Sequence, residues 1–137
     1  SLAAETGGSV VGPDDLLFLD ADVVRPCALG AILTEQTIAK LNTPIVAGGA
    51  NNQLATAEDG QRLHARGILY APDYVINAGG IINVSTEYLG DGGPDLVRSR
   101  IEPIPGRLEQ IWAQGAATGR DPASVADAMA QQLIGRG

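Results

Sequence analysis

Apolar residues in this chain come first in short runs and later at helical intervals, and that change predicts an α/β unit followed by helices. Leu16-Leu17-Phe18-Leu19 is closed by Asp20 and Asp22, the pattern of a short buried strand. Pro44-Ile45-Val46-Ala47 reads as a second strand and Ile68-Leu69-Tyr70 as a third, ended by Ala71-Pro72-Asp73. Between the first two lies "RPCALGAILTEQTIAKL", where Leu29, Ile32, Leu33, Ile38 and Leu41 follow Pro26 at loose helical spacing. Residues 54–66 read as a helix closed by Gly67, and residues 77–89 as another with Gly79 and Gly80 in its first turn. Strands alternating with helices at this spacing predict βαβ units on a parallel sheet.

The later part of the chain reads as a helical cap. Val97, Ile101, Ile104, Leu108, Ile111 and Trp112 step by three or four along one helix face, and Pro103, Pro105 and Gly106 predict a kink or break within it. A last helix is signposted by Asp121 as N-cap, Pro122 at the first helical position and Gly135 past the end, with Val125, Met129 and Leu133 as its apolar stripe. At the other end, "LAAETGG" reads as the tail of a helix stopped by glycine. With no methionine at position 1, this leads to the expectation that an N-terminal portion of a larger protein precedes it.

Composition narrows the classes. A chain of 137 residues, 45% hydrophobic and 18% charged, fits one globular domain rather than disordered material. A net charge of -7 argues against a nucleic-acid partner, which needs a basic face. No apolar run reaches the length of a membrane span, and no secretory leader pattern opens the chain, so neither a membrane partner nor secretion is expected. The single cysteine, Cys27, cannot form an internal disulfide, which suits a cytoplasmic location.

Candidate chemistry gathers in "AGGANNQ" and in "INAGG". In parallel sheets ligands sit outside the carboxyl ends of the strands, and "GGANN" and "PCALG" both fall at that edge. A carboxamide offers donors and an acceptor without charge, and Gly48, Gly49 and Ala50 leave room for a flat ligand to approach the backbone. Equally, Asn51 and Asn52 read as caps of the following helix. Asn77-Ala78-Gly79-Gly80 reads either as a polar docking point at a helix start or as a close helix–sheet crossing that needs glycine. Ile81 and Val84 share a helix face, as a pocket wall or as plain core.

Nucleophile candidates are weak. Cys27 reads as a buried structural thiol, His64 as a charge near a helix C-terminus, and Lys40 as solvated. No Cys/His cluster suggests a metal, and Asp20 with Asp22 is thin evidence for one. Neither a G-x-G-x-x-G fingerprint nor a P-loop occurs. The residues alone lead to an α/β sheet edge with a ligand site, half of a nucleotide-binding domain.

"DVVRPCALGAIL", "AGGANNQL", "LHARGILYAPDYVINAGGIINV" and "EYLG", in this order, resemble the C-terminal half of the glutamate/leucine/phenylalanine/valine dehydrogenases, the branched-chain members above all. The resemblance implies a partial Rossmann-like, doubly wound domain over residues 1–92 and a C-terminal helical cap over 93–137, with a substrate domain expected upstream. It implies NAD-dependent oxidative deamination of leucine, valine or isoleucine to the 2-oxo acid and ammonia, by a homo-oligomer when full length. Ala28, Leu29, Gly49, Ala50, Asn51 and Asn77 would then meet the cofactor, Asn51 would also lie near the substrate amino group, and Ile81 and Val84 would line the side-chain pocket. Asn52 stays a cap. The catalytic residues, the phosphate loop and the adenosine-ribose acid of this family fall outside the chain, so these 137 residues alone are not expected to turn over substrate. Pro103 and Pro105 interrupt a helix that the family keeps continuous. The alternative is a catalytically inactive nucleotide-binding or oligomerising module.

Overall fold

Val24, Val46 and Tyr70 mark three neighbouring lines of a small parallel sheet. In the computed structural model, which describes residues 2–90 and 92–135, β1 (Ile45–Val46) pairs with β2 (Leu69–Tyr70), Ile45 opposite Leu69 and Val46 opposite Tyr70. Val24 adds a parallel bridge on the other side of β1, donating to the Ile45 carbonyl at 3.0 Å and accepting from the Ala47 N–H at 3.1 Å. β-branched residues at these positions suit a pleated, enclosed surface.

Two expected elements differ. Leu16–Phe18 is a short 3-10 turn rather than a strand, and Val24 occupies the sheet position instead. The Gly12 carbonyl accepts from Asp15 and Leu16, which winds the chain before it can extend. A run of four apolar residues satisfies either conformation, so its pattern did not discriminate. The helix expected after Pro26 is confined to α2 (Glu35–Lys40), preceded by a short helix, α1 (Leu2–Thr6), at the chain start. Thr34 caps α2, accepting from the Thr37 N–H at 3.2 Å while its own N–H donates to Thr37 Oγ1 at 2.8 Å. Ahead of Thr34 the chain adopts a left-handed Ala31 (φ 53°) and bridges Leu33 to Leu54.

The remaining helices follow the expected order. α3 spans Ala57–Ala65 and is closed by Gly67 at φ +70°. A single turn, α4 (Asp73–Ile76), precedes α5 (Gly79–Leu89). The expected proline break separates α6 (Pro94–Ile101) from α7 (Ile104–Thr118). In α8 (Pro122–Leu133) the Asp121 carboxylate accepts from the Ser124 N–H at 2.9 Å, and Gly135 turns left-handed past the end.

Leu33, Ile38, Leu41, Val46, Leu63, Ile68 and Tyr70 form the core between α2, α3 and the sheet. Val75, Ile111, Val125 and Ala126 form a second cluster where α7 and α8 meet α4, with Met129 against it, while Leu133 is exposed. The Trp112 indole N–H donates to the Tyr70 carbonyl at 2.9 Å, docking α7 on the end of β2. Among the described residues, no helix is long and apolar enough to cross a membrane.

Candidate functional site

Because the sheet is parallel, the loops after Val24, Val46 and Tyr70 leave it at the same edge, the one where ligands sit in such sheets. Backbone groups stitch the first two loops together. The Ala50 N–H donates to the Pro26 carbonyl at 2.9 Å, and the Gly49 N–H points at the Cys27 sulfur at 3.4 Å. Gly48 is required for this approach, since a Cβ there would lie 2.1 Å from the Pro26 carbonyl oxygen. Gly30 also lies close to the Asn51 carbonyl, whose oxygen would be 2.7 Å from a Cβ there.

The third loop brings Asn77 to Asn51. The Asn77 side-chain amide donates to the Gly49 carbonyl and to Asn51 Oδ1, each at 2.8 Å. A carbonyl can only accept, so the group facing Gly49 is the Asn77 nitrogen, and the bond to Asn51 then identifies the Asn51 oxygen. What remains on the exposed side is complementary: among the described residues Asn77 keeps Oδ1 as a free acceptor, and Asn51 keeps both Nδ2 protons. A neutral donor beside a neutral acceptor matches a carboxamide.

Asn52 is not a cap. The N-cap of α3 is Thr56, whose N–H and hydroxyl donate to the Asp59 carboxylate at 2.9 and 3.0 Å. Asn52 instead adopts a left-handed backbone (φ 52°), donates its N–H to Asp73 Oδ2 at 2.7 Å and accepts from the Ala31 N–H at 2.7 Å. Alanine tolerates that region poorly and asparagine better, so the facing pair Ala31–Asn52 stores backbone strain beside the site. Asp73, which is buried, also accepts from the Tyr70 hydroxyl at 2.8 Å. Asp73 and Gln53 escaped the sequence reading, although an acid opening the α4 turn after "AP" was the available signal for the first.

The remaining candidates contribute no hydrogen bond to the asparagine pair. Ala28 and Leu29 line an apolar groove of about 530 Å³ with Leu16, Val23, Pro26 and Ile32, and none of Gly49, Ala50, Asn51 or Asn77 lines it. Cys27, which also lines this groove, is exposed rather than buried. Ile81 and Val84 are 67% and 58% exposed, which excludes the plain-core reading within the described residues. His64 is exposed in the last turn of α3, and Lys40 is exposed with its ammonium 5.6 Å from the Phe18 ring centroid.

Burial, reinforced by the hydrogen bond to Asp73, holds the Tyr70 phenol well above the ordinary tyrosine range. Tyr74 is half exposed, and partial burial with the Asp127 carboxylate, 2.7 Å from its hydroxyl, raises its phenol in the same direction. The folded state therefore keeps protons that the unfolded chain releases. Stability from these groups is complete below about pH 10, the ordinary tyrosine value, and falls as pH rises beyond it. Urea midpoints should decline above that pH and decline less in a Tyr70→Phe/Tyr74→Phe variant; an equal decline in both proteins would contradict this.

Residues 3–114 match the family model described as "Glutamate/Leucine/Phenylalanine/Valine dehydrogenase". The chain belongs to this family. It is 41% identical over 130 residues to the leucine dehydrogenase of Bacillus subtilis (strain 168), which covers 95% of this chain and 35% of that protein. It is 53% identical over 85 residues to the L-tryptophan dehydrogenase of Nostoc punctiforme, covering 61% of this chain and 24% of the relative. The crystal structure of that tryptophan dehydrogenase superposes with a TM-score of 0.90 at 38% identity, over 98% of this chain and 41% of the other. A hetero-hexameric glutamate dehydrogenase from Thermus thermophilus shares the fold at a TM-score of 0.72 and 24% identity, over 97% of this chain and 34% of that one. The chain thus spans about a third of the length of the leucine dehydrogenase it matches.

Proposed function

We propose that this chain is the cofactor-side part of an NAD-dependent amino-acid dehydrogenase that deaminates a branched-chain L-amino acid, acting within a longer polypeptide that assembles as a homo-oligomer. Residues 1–92 are read as the C-terminal half of a Rossmann-like domain and 93–137 as its helical cap. The observation that carries the proposal is the Asn51–Asn77 pair, which leaves one free acceptor and free donors side by side at a sheet edge approached by glycine. That donor set fits the carboxamide of a nicotinamide: Asn77 Oδ1 would accept from its NH2, and Asn51 Nδ2 would donate to its oxygen. Bound there, NAD supplies the hydride acceptor for the substrate α-carbon.

The chain's own residues orient and exclude. Asn51 Oδ1 retains a lone pair for the substrate amino group, and the cross-loop bonds hold it in place before any ligand arrives. Ile81 and Val84, one turn apart on α5 just beyond Asn77, present branched aliphatic surface and no charge. α5 itself carries no basic residue to meet an acidic side chain, whereas leucine, valine or isoleucine would find apolar contact.

The family members to which this chain is similar bear leucine, tryptophan and phenylalanine in their names, so side-chain preference is the part to test. In the whole enzyme, Val84→Ala should shift kcat/KM toward bulkier side chains over valine by roughly tenfold, the worth of a small change in an apolar pocket. An unaltered ranking of valine, leucine and phenylalanine would remove Val84 from the pocket.

A further inference from the structure

Gln53 is fully buried, yet it is polar and sits directly behind the asparagine loop. Its Nε2 donates to the Gly48 carbonyl at 2.7 Å and to the Ala50 carbonyl at 2.9 Å, so one amide spans the intervening Gly49. Its Oε1 has no partner among the described residues. A buried acceptor left unpaired is destabilising, and an apolar side chain of equal length would avoid that penalty. The two donors are what glutamine adds here.

We propose that Gln53 is a positioning residue for the cofactor edge, an inference that rests on the dehydrogenase reading above. With Gln53 in place, every backbone polar group from the Gly48 carbonyl to the Ala50 carbonyl has a partner. Gly49 donates to Cys27 and accepts from Asn77, and Ala50 donates to Pro26. The next donor, the Asn51 N–H, has no acceptor among the described residues. It shares a planar trans peptide with the Ala50 carbonyl, so fixing that carbonyl on Gln53 aims the Asn51 N–H away from the core. The same clamp orients the Gly49 carbonyl on which the Asn77 amide is anchored. Gln53 touches neither cofactor nor substrate in this account; it acts through Asn51 and Asn77.

The test compares Gln53→Met, Gln53→Asn and, as a distant destabilising control, Val125→Ala in the whole enzyme. Methionine keeps the length and removes both donors; asparagine keeps the amide and shortens its reach, and serves should the methionine variant not fold. Gln53 variants should raise KM for NAD about tenfold and change kcat less than twofold. They should also speed amide exchange in residues 48–52. Val125→Ala, which loosens the α7–α8 cluster, should move neither. Unchanged exchange at 48–52, or a fall in kcat at constant KM matching that of Val125→Ala, would overturn the positioning role. Faster exchange at 48–52 with an unaltered KM for NAD would instead overturn the cofactor reading of this edge.

Discussion

Replacing Asn77 with leucine is expected to lower kcat/KM of the whole enzyme by on the order of a hundredfold. Leucine is close to asparagine in size but has no polar atoms, so the change isolates hydrogen bonding. The Asn77 amide makes two bonds at 2.8 Å, to the Gly49 carbonyl and to Asn51 Oδ1, and under the proposed function a third through Oδ1 to the cofactor. Each bond contributes about 0.5–1.5 kcal/mol, and loss of two to three of them corresponds to roughly 2–3 kcal/mol of transition-state binding. Steady-state kinetics with saturating amino acid checks this. Asn51→Leu should act in the same direction and by at least roughly tenfold, because it removes the partner and the free donors together. A variant of either asparagine with wild-type kcat/KM would assign that residue to loop structure alone.

Gly48→Ala carries the largest expected effect on stability. The added methyl would lie 2.1 Å from the Pro26 carbonyl oxygen and 2.6 Å from both the Pro26 nitrogen and Cδ. These are backbone and ring atoms, which no side-chain rotation can move aside. Relief requires separating the first two loops, and with them the Ala50 bond to Pro26 and the contact of Gly49 with Cys27. Overpacking of this kind costs about 3 kcal/mol or more, a large share of a typical domain's stability. For a chain of this size, Tm should fall by roughly 10 °C. The neighbouring Gly49→Ala is the control: its methyl would meet only the Cys27 sulfur at 3.7 Å, an ordinary contact, so stability should change by less than about 1 kcal/mol. Equal losses at the two glycines would refute the close approach.

The pattern of short apolar runs and glycine stops made the parallel sheet legible, since Val46 and Tyr70 fall where strands were expected. Gly67 and the Asp121–Pro122 start were legible for the same reason, because their conformations restrict which residues fit. Leu16–Phe18 was not, because four apolar residues carry no period that separates a strand from a turn. Asn51 and Asn77 could be assigned to one edge from their spacing, but a bond between side chains 26 positions apart depends on a crossover whose geometry the sequence does not spell out. Asn52 misled because asparagine is favoured both at caps and in left-handed turns, and here Thr56 takes the cap. Gln53 gave no signal, since one polar residue beside two asparagines reads as surface until its burial is known.

The central claim is that the asparagine pair recognises a nicotinamide carboxamide, and cofactor analogues test it directly. Acetylpyridine adenine dinucleotide replaces the carboxamide NH2 with a methyl group, removing only the donor that Asn77 Oδ1 would accept. Measuring kcat/KM for NAD and for this analogue, with wild-type enzyme and Asn77→Leu, gives a cycle in which everything but that contact cancels. The account predicts that wild type favours NAD by roughly tenfold more than the variant does, the worth of one buried hydrogen bond. Identical discrimination between the two cofactors in both proteins would contradict it.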